Sequence, residues 1–123
     1  MMRGAVMPWR EALVTLSLRG SRGRELQVEA VVDTGFSGEL LLPRAIVDEL
    51  ELALEGEEQV VLADGSECAV PFFSGVVVWD GTPRQVSVLC AGGDPLLGMS
   101  LMWNHLLTMR AAEGGEVTLD PLQ

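Results

Sequence analysis

The residue inventory leaves this chain few ways to do chemistry. Its 123 residues hold one His, two Cys, no Lys and no Tyr. No Gly-x-Ser-x-Gly elbow occurs, and the glycine runs do not match a phosphate-binding loop. The lone His105, among Trp103, Leu106 and Leu107, reads as a helix-surface or core residue. Cys68 and Cys90 lack metal-ligand spacing and a nearby His, so both read as packed free thiols. Carboxylates remain. Most of the eighteen have ordinary explanations: Glu55, Glu57 and Glu58 form a charge run, Asp48, Glu49 and Glu51 follow a helix's polar face, and Asp64 and Asp80 each precede a turn glycine. Asp33 differs. It follows the apolar pair Val31-Val32 and is followed at once by Thr34-Gly35, so a carboxylate is delivered from the buried end of a strand into a tight turn. Thr34 can hydrogen-bond locally, and Gly35 lets backbone or ligand approach closely. From the tripeptide alone two readings stay open, an Asx-type turn that closes a strand and a catalytic carboxylate.

The elements that would position Asp33 follow from hydrophobic patterning. Residues 12–18 alternate with period two, residues 19–23 are a turn cluster, and residues 26–32 resume the alternation, which predicts a hairpin leading into Asp33. Leu40-Leu41-Leu42 is a short buried strand, and Pro43 opens a helix that Gly56 ends. Asp64-Gly65-Ser66 separates two arms at 59–63 and 67–70, and Asp80 to Pro83 separates arms at 72–79 and 85–90. Leu96-Leu97-Gly98 leads into a second short helix from Met99 to about Leu107, and Glu116 to Leu119 is a last strand. The pattern predicts an all-β, barrel-like fold with two short helices, a single domain over residues 1–123.

Composition narrows the function classes. A 48% hydrophobic content excludes a disordered tail, and a net charge of −10 argues against a nucleic-acid or anionic-membrane surface. Arg19, Arg22 and Arg24 read as a solvated hairpin turn. No targeting segment and no run of apolar residues long enough to span a bilayer is found, and two unpaired thiols suit a reducing cytoplasm. No cofactor and no metal are expected.

In order and spacing together, these features resemble the retropepsin-like (clan AA) aspartic proteases, in particular a bacterial and archaeal branch with the motif Asp-Thr-Gly-Phe. The resemblance spans nearly the whole chain. It rests on the hairpin at 12–32, the triplet Asp33-Thr34-Gly35 with Phe36 after it, the hairpin at 60–70, Leu96-Leu97-Gly98 and the closing strand. It implies a retropepsin-like barrel in which Asp33, Thr34 and Gly35 are the catalytic triplet. It also implies a flap whose tip, Ala63-Asp64-Gly65-Ser66, meets substrate, with Phe36 shaping the substrate pocket. Thr34 would brace the site from below, and the chain termini would interleave with those of a partner into a shared sheet. Viral members carry an acid two positions beyond the triplet's Gly and an Arg straight after the C-terminal Gly, which pair. Ser37 and Met99 stand at those positions here, so both partners are absent together.

The implied chemistry needs two carboxylates a few ångströms apart, sharing one proton. One Asp-Thr-Gly occurs in the chain, so the second carboxylate must come from another copy. The expectation is therefore an aspartic endopeptidase acting as a homodimer on a peptide or protein, with no nucleic-acid or membrane partner. The alternative is a catalytically silent module of the same fold, used for dimerisation or peptide capture.

Overall fold

The computed structural model describes residues 1–123. It holds ten strands, β1 (Met2–Val6), β2 (Ala12–Arg19), β3 (Glu25–Val32), β4 (Leu40–Leu42), β5 (Ala53–Val61), β6 (Glu67–Trp79), β7 (Thr82–Cys90), β8 (Leu96–Leu97), β9 (His105–Met109) and β10 (Glu116–Pro121), with one helix, α1 (Arg44–Glu49). All ten strands belong to one sheet in the order β5-β6-β7-β4-β8-β3-β2-β1-β10-β9. The sheet bends over so that β2 also meets β6, with Ser17 opposite Val78 and Arg19 opposite Val76.

Period-two patterning sets which face is buried. Val14, Leu16 and Leu18 of β2, Val28 and Ala30 of β3, Val77 and Trp79 of β6, and Val86 and Val88 of β7 all point into one core, and no polar or charged residue is buried with them. The β2–β3 register, Leu13 opposite Val31 through Arg19 opposite Glu25, carries the chain directly to Asp33. The turn between these strands is exposed, and two of the three arginines around it make surface ion pairs, Arg19–Glu25 at 3.7 Å and Arg22–Glu51 at 3.9 Å.

Four expectations from sequence need correction. The second helix is absent. After Gly98 the chain makes a single turn, with Met102 N–H donating to Gly98 O at 3.2 Å, and Asn104 then adopts a left-handed φ of 64°. Asn tolerates that conformation, which stops a helix. His105 and Leu107 then turn inward and Leu106 outward, as β9 pairs with β10. The helix at Pro43 ends earlier than expected, since Glu51 is left-handed (φ 51°), and Gly56 lies instead in β5 at an irregularity in its pairing with β6. The arms at 67–70 and 72–79 are one strand, β6. Of the two thiols, Cys90 is buried but Cys68 is exposed.

The terminal strands are also already paired. β1, which the sequence pattern did not predict, lies between β2 and β10, and β10 lies between β1 and β9. A sheet shared with another chain through these strands would require those ladders to open. No helix is long and apolar enough to cross a membrane.

Leu16 is fully buried, whereas Leu106 is 55% exposed on β9. Leu16→Ala is expected to cost about 2–5 kcal/mol in urea unfolding, and Leu106→Ala less than about 0.5 kcal/mol.

Candidate active site

Asp33 is fixed by the strand it leaves. Val31 and Val32 pair in parallel with Leu96 and Leu97, and Asp33 N–H donates to Leu97 O at 2.9 Å. β8 pairs on its other side with β4, and β4 with β7. Two chain segments, 31–42 and 96–98, are thereby interlocked at the centre of the sheet. The carboxylate closes its own turn, because Oδ1 accepts from Gly35 N–H at 2.9 Å while Asp33 O accepts from Phe36 N–H at 3.2 Å. The Asx turn is therefore real. It engages one carboxylate oxygen and leaves Oδ2 without an intrachain partner. Asp33 is half-buried, while Thr34 and Gly35 are exposed.

Beyond the turn, residues 36–39 are stitched to residues 98–100. Phe36 O accepts from Met99 N–H (2.8 Å), Gly38 O from Ser100 N–H (3.1 Å), and Glu39 O from Gly98 N–H (2.9 Å). Ser37 O accepts from the Ser100 hydroxyl at 2.6 Å. These are the positions, Ser37 and Met99, that lack an acid–arginine pair. Backbone bonds and one serine hydroxyl join the segments instead.

This contact is so close that Gly98 admits no side chain. A Cβ there would lie 2.1 Å from Gly38 O and 2.6 Å from the Phe36 ring. Gly38 is constrained in the same way, with the Phe36 ring 2.6 Å from a would-be Cβ. Phe36 thus lies over both glycines and is half-buried.

Residues 35–38 form one wall of a groove of about 560 Å³, with Leu89 and Ser100, and Glu58, Gln59, Val60 and Val61 of β5 face them. Ala63, Asp64, Gly65 and Ser66, expected at the substrate, form the exposed tip of the β5–β6 hairpin and do not line this groove. Sequence reasoning missed residues 58–61 because β5 is exposed along most of its length and its glutamates read as a solvated charge run. The tip is a tight turn: Leu62 N–H donates to Ser66 O at 2.8 Å, and Gly65 takes φ 86°, which glycine accepts without strain. Asp64 Oδ1 accepts from the Ser66 hydroxyl at 2.5 Å and from Ser66 N–H at 2.9 Å. Those two donors, the hydroxyl first, hold the Asp64 carboxyl below the ordinary aspartate range.

His105 is drawn away from the groove. Its Nε2 accepts from Trp79 Nε1–H at 3.1 Å and its Nδ1 contacts Trp103 O at 2.9 Å, so it serves packing. No group of three or more His, Cys, Asp or Glu side chains is gathered to hold a metal ion.

Among solved structures, this fold is similar to a retropepsin-like aspartic protease from Rickettsia conorii, with TM-score 0.61 and 17% identity over 98% of this chain and 89% of that one. It is also similar to EIAV protease complexed with the inhibitor HBY-793, with TM-score 0.57 and 14% identity over 75% of this chain and 85% of that one. No family model and no curated protein matches the sequence. At such identities the likeness is one of architecture: the chain has a retropepsin-like fold.

Two outcomes follow from this geometry. Gly98→Ala should destabilise by about 1–3 kcal/mol or more in urea unfolding, because backbone as well as ring must move. Asp64 has a lowered folded pKa, so its contribution to closing the tip is present above the unfolded value and is lost as pH falls through the folded one. An NMR titration should place Asp64 below a free aspartate, and Ser66→Ala should move it back up.

Proposed function

We propose that the chain is an aspartic endopeptidase whose active site forms when two copies bring their Asp33 carboxylates together. The observation that carries this reading is the placement of Asp33. It is half-buried at the end of a central strand, one oxygen unengaged, and the turn it opens lines a groove of about 560 Å³ through residues 35–38. The retropepsin-like fold supports it.

Two carboxylates a few ångströms apart cannot both ionise, so the pair holds one proton, and its titration belongs to both residues. The ionised member takes a proton from water as the water oxygen bonds to the scissile carbonyl carbon. The protonated member gives its proton to the carbonyl oxygen. Collapse of the resulting gem-diol, with proton transfer to the amide nitrogen, breaks the C–N bond and frees both products. Thr34, exposed beside Asp33, would brace the pair. The β5–β6 hairpin would act as a flap, its residues 58–61 flanking an extended substrate that pairs through main-chain hydrogen bonds. Its tip, residues 63–66, would reach substrate only in the closed dimer.

The pairing of Leu13 with Val31 sets the β1–β2 turn alongside Asp33. Val6 exchanges hydrogen bonds with Gly114 and Gly115, which brings the β9–β10 turn to the same end of the sheet. Trp9 (62% exposed) and Met109 (43%) are therefore displayed at the end that carries Asp33 and Thr34. We assign this end as the dimer face. Because β1 and β10 have no free edge, the dimer forms by packing of end loops, without interleaved termini.

Ser37 and Met99, in place of a paired acid and arginine, favour a second reading, a silent peptide-binding or dimerisation module. Digestion of a peptide library over a range of pH distinguishes the two. Wild type should cleave, and Asp33→Asn should abolish cleavage while keeping the unfolding midpoint and the dimer seen by light scattering. Cleavage that survives in Asp33→Asn overturns the assignment, and a wild type that binds peptides without cutting them establishes the module.

A further inference from the structure

The loop that carries Asp33 is anchored at one more point, outside the groove. Glu39 is the last residue before β4. The parallel ladder between β4 and β7 begins at Leu40 opposite Val88, which leaves the preceding amide of β7, that of Ser87, beyond the ladder. Glu39 Oε1 accepts from that amide at 2.9 Å. Its Oε2 lies 3.6 Å from Arg84 Nη2, and Arg84 Nη1 donates to Leu101 O at 3.3 Å. Glu39 O meanwhile holds Gly98 N–H. One carboxylate and one guanidinium therefore tie together three segments: the Asp33 loop, β7, and the turn after Gly98.

An exposed ion pair contributes little by itself. This one differs in what its ends touch. The Glu39 side chain is 25% exposed, and both partners also bind backbone, the carboxylate an N–H and the guanidinium a C=O. Bonds of an ionised group to oriented backbone dipoles are stronger than neutral ones and fix direction as well as distance.

We propose that Glu39 and Arg84 are positioning residues that lock the groove wall at residues 35–38 and, through it, the Asp33 turn. They do so in place of the direct acid–arginine pair that Ser37 and Met99 cannot make. This rests on the peptidase reading, and it predicts a loss in the chemical step in place of a loss in folding alone. Displacing a reacting group by a fraction of an ångström to one ångström can reduce rate by about 10- to 100-fold.

The test combines kinetics with hydrogen exchange on the full chain. Glu39→Ala should lower kcat about 10- to 100-fold with KM nearly unchanged, at a temperature where unfolding curves show the variant folded. Glu39→Gln, which can still accept from Ser87 N–H, should recover part of the loss. Arg84→Ala, which removes the guanidinium that reaches both Glu39 and Leu101 O, should lower kcat in the same direction. In parallel, the amides of Phe36, Met99 and Ser100 should exchange about tenfold faster in Glu39→Ala, while those of Leu16 and Val117 keep wild-type rates. Unchanged kcat in a folded Glu39→Ala, or unchanged exchange at Phe36, Met99 and Ser100, overturns the proposal. If wild type cleaves nothing, faster exchange at those three amides still supports the clamp while the peptidase reading falls.

Discussion

The absence of a side chain at Gly98 is the constraint on which the rest of this molecule turns. Residues 36–39 and 98–100 are joined by four hydrogen bonds, and they can approach that closely only because a Cβ at Gly98 would sit 2.1 Å from Gly38 O. The Phe36 ring closes over the contact. Upstream, the same approach lets Asp33 N–H reach Leu97 O, which extends the parallel β3–β8 pairing by one bond and stops the strand where the carboxylate leaves it. The position of Asp33 is thus set by packing and backbone bonding between two segments some 60 residues apart in sequence.

What surrounds this centre is less rigidly held. β5 and the outer half of β6 are exposed along most of their length, and Val61 and Leu62 at the hairpin's end are 71% and 49% exposed. With few apolar contacts beneath it, such a hairpin belongs to the low-stability part of a fold and can move against a fixed floor. Order within it is local: Asp64 and Ser66 brace the tip, so it can shift as a unit. On the proposed reading this hairpin is the flap, and Asp33 the fixed carboxylate that a second copy completes.

Much of this was legible in the sequence, and the omissions have physical causes. Alternation marked β2 and β3, and Asp-Gly pairs marked the turns at 64–65 and 80–81, because period-two burial and left-handed glycine are local signals. Asp33 was found as the carboxylate without a surface explanation. The stretch after Gly98 misled, since Met102 and Leu106, and Trp103 and Leu107, repeat at the four-residue interval of a helix, while the deciding event, the left-handed Asn104, is a single residue. β1 was missed because it is held by pairing that sequence does not show, with four of its five residues opposite β10, more than 100 positions later. Glu39 and Arg84 were invisible: nothing in sequence brings a residue of the Asp33 loop beside one on β7 forty-five positions later.

Everything functional in this account depends on Asp33 being half of a site. The most direct measurement is the rate of peptide cleavage per chain as protein concentration is lowered, with mass followed by sedimentation in the same samples. Specific activity should fall in step with the dimer and rise with it on reconcentration, as mass action requires. Specific activity that stays constant in samples shown to be monomeric would contradict the account, because a single chain would then be cutting peptides with one Asp33.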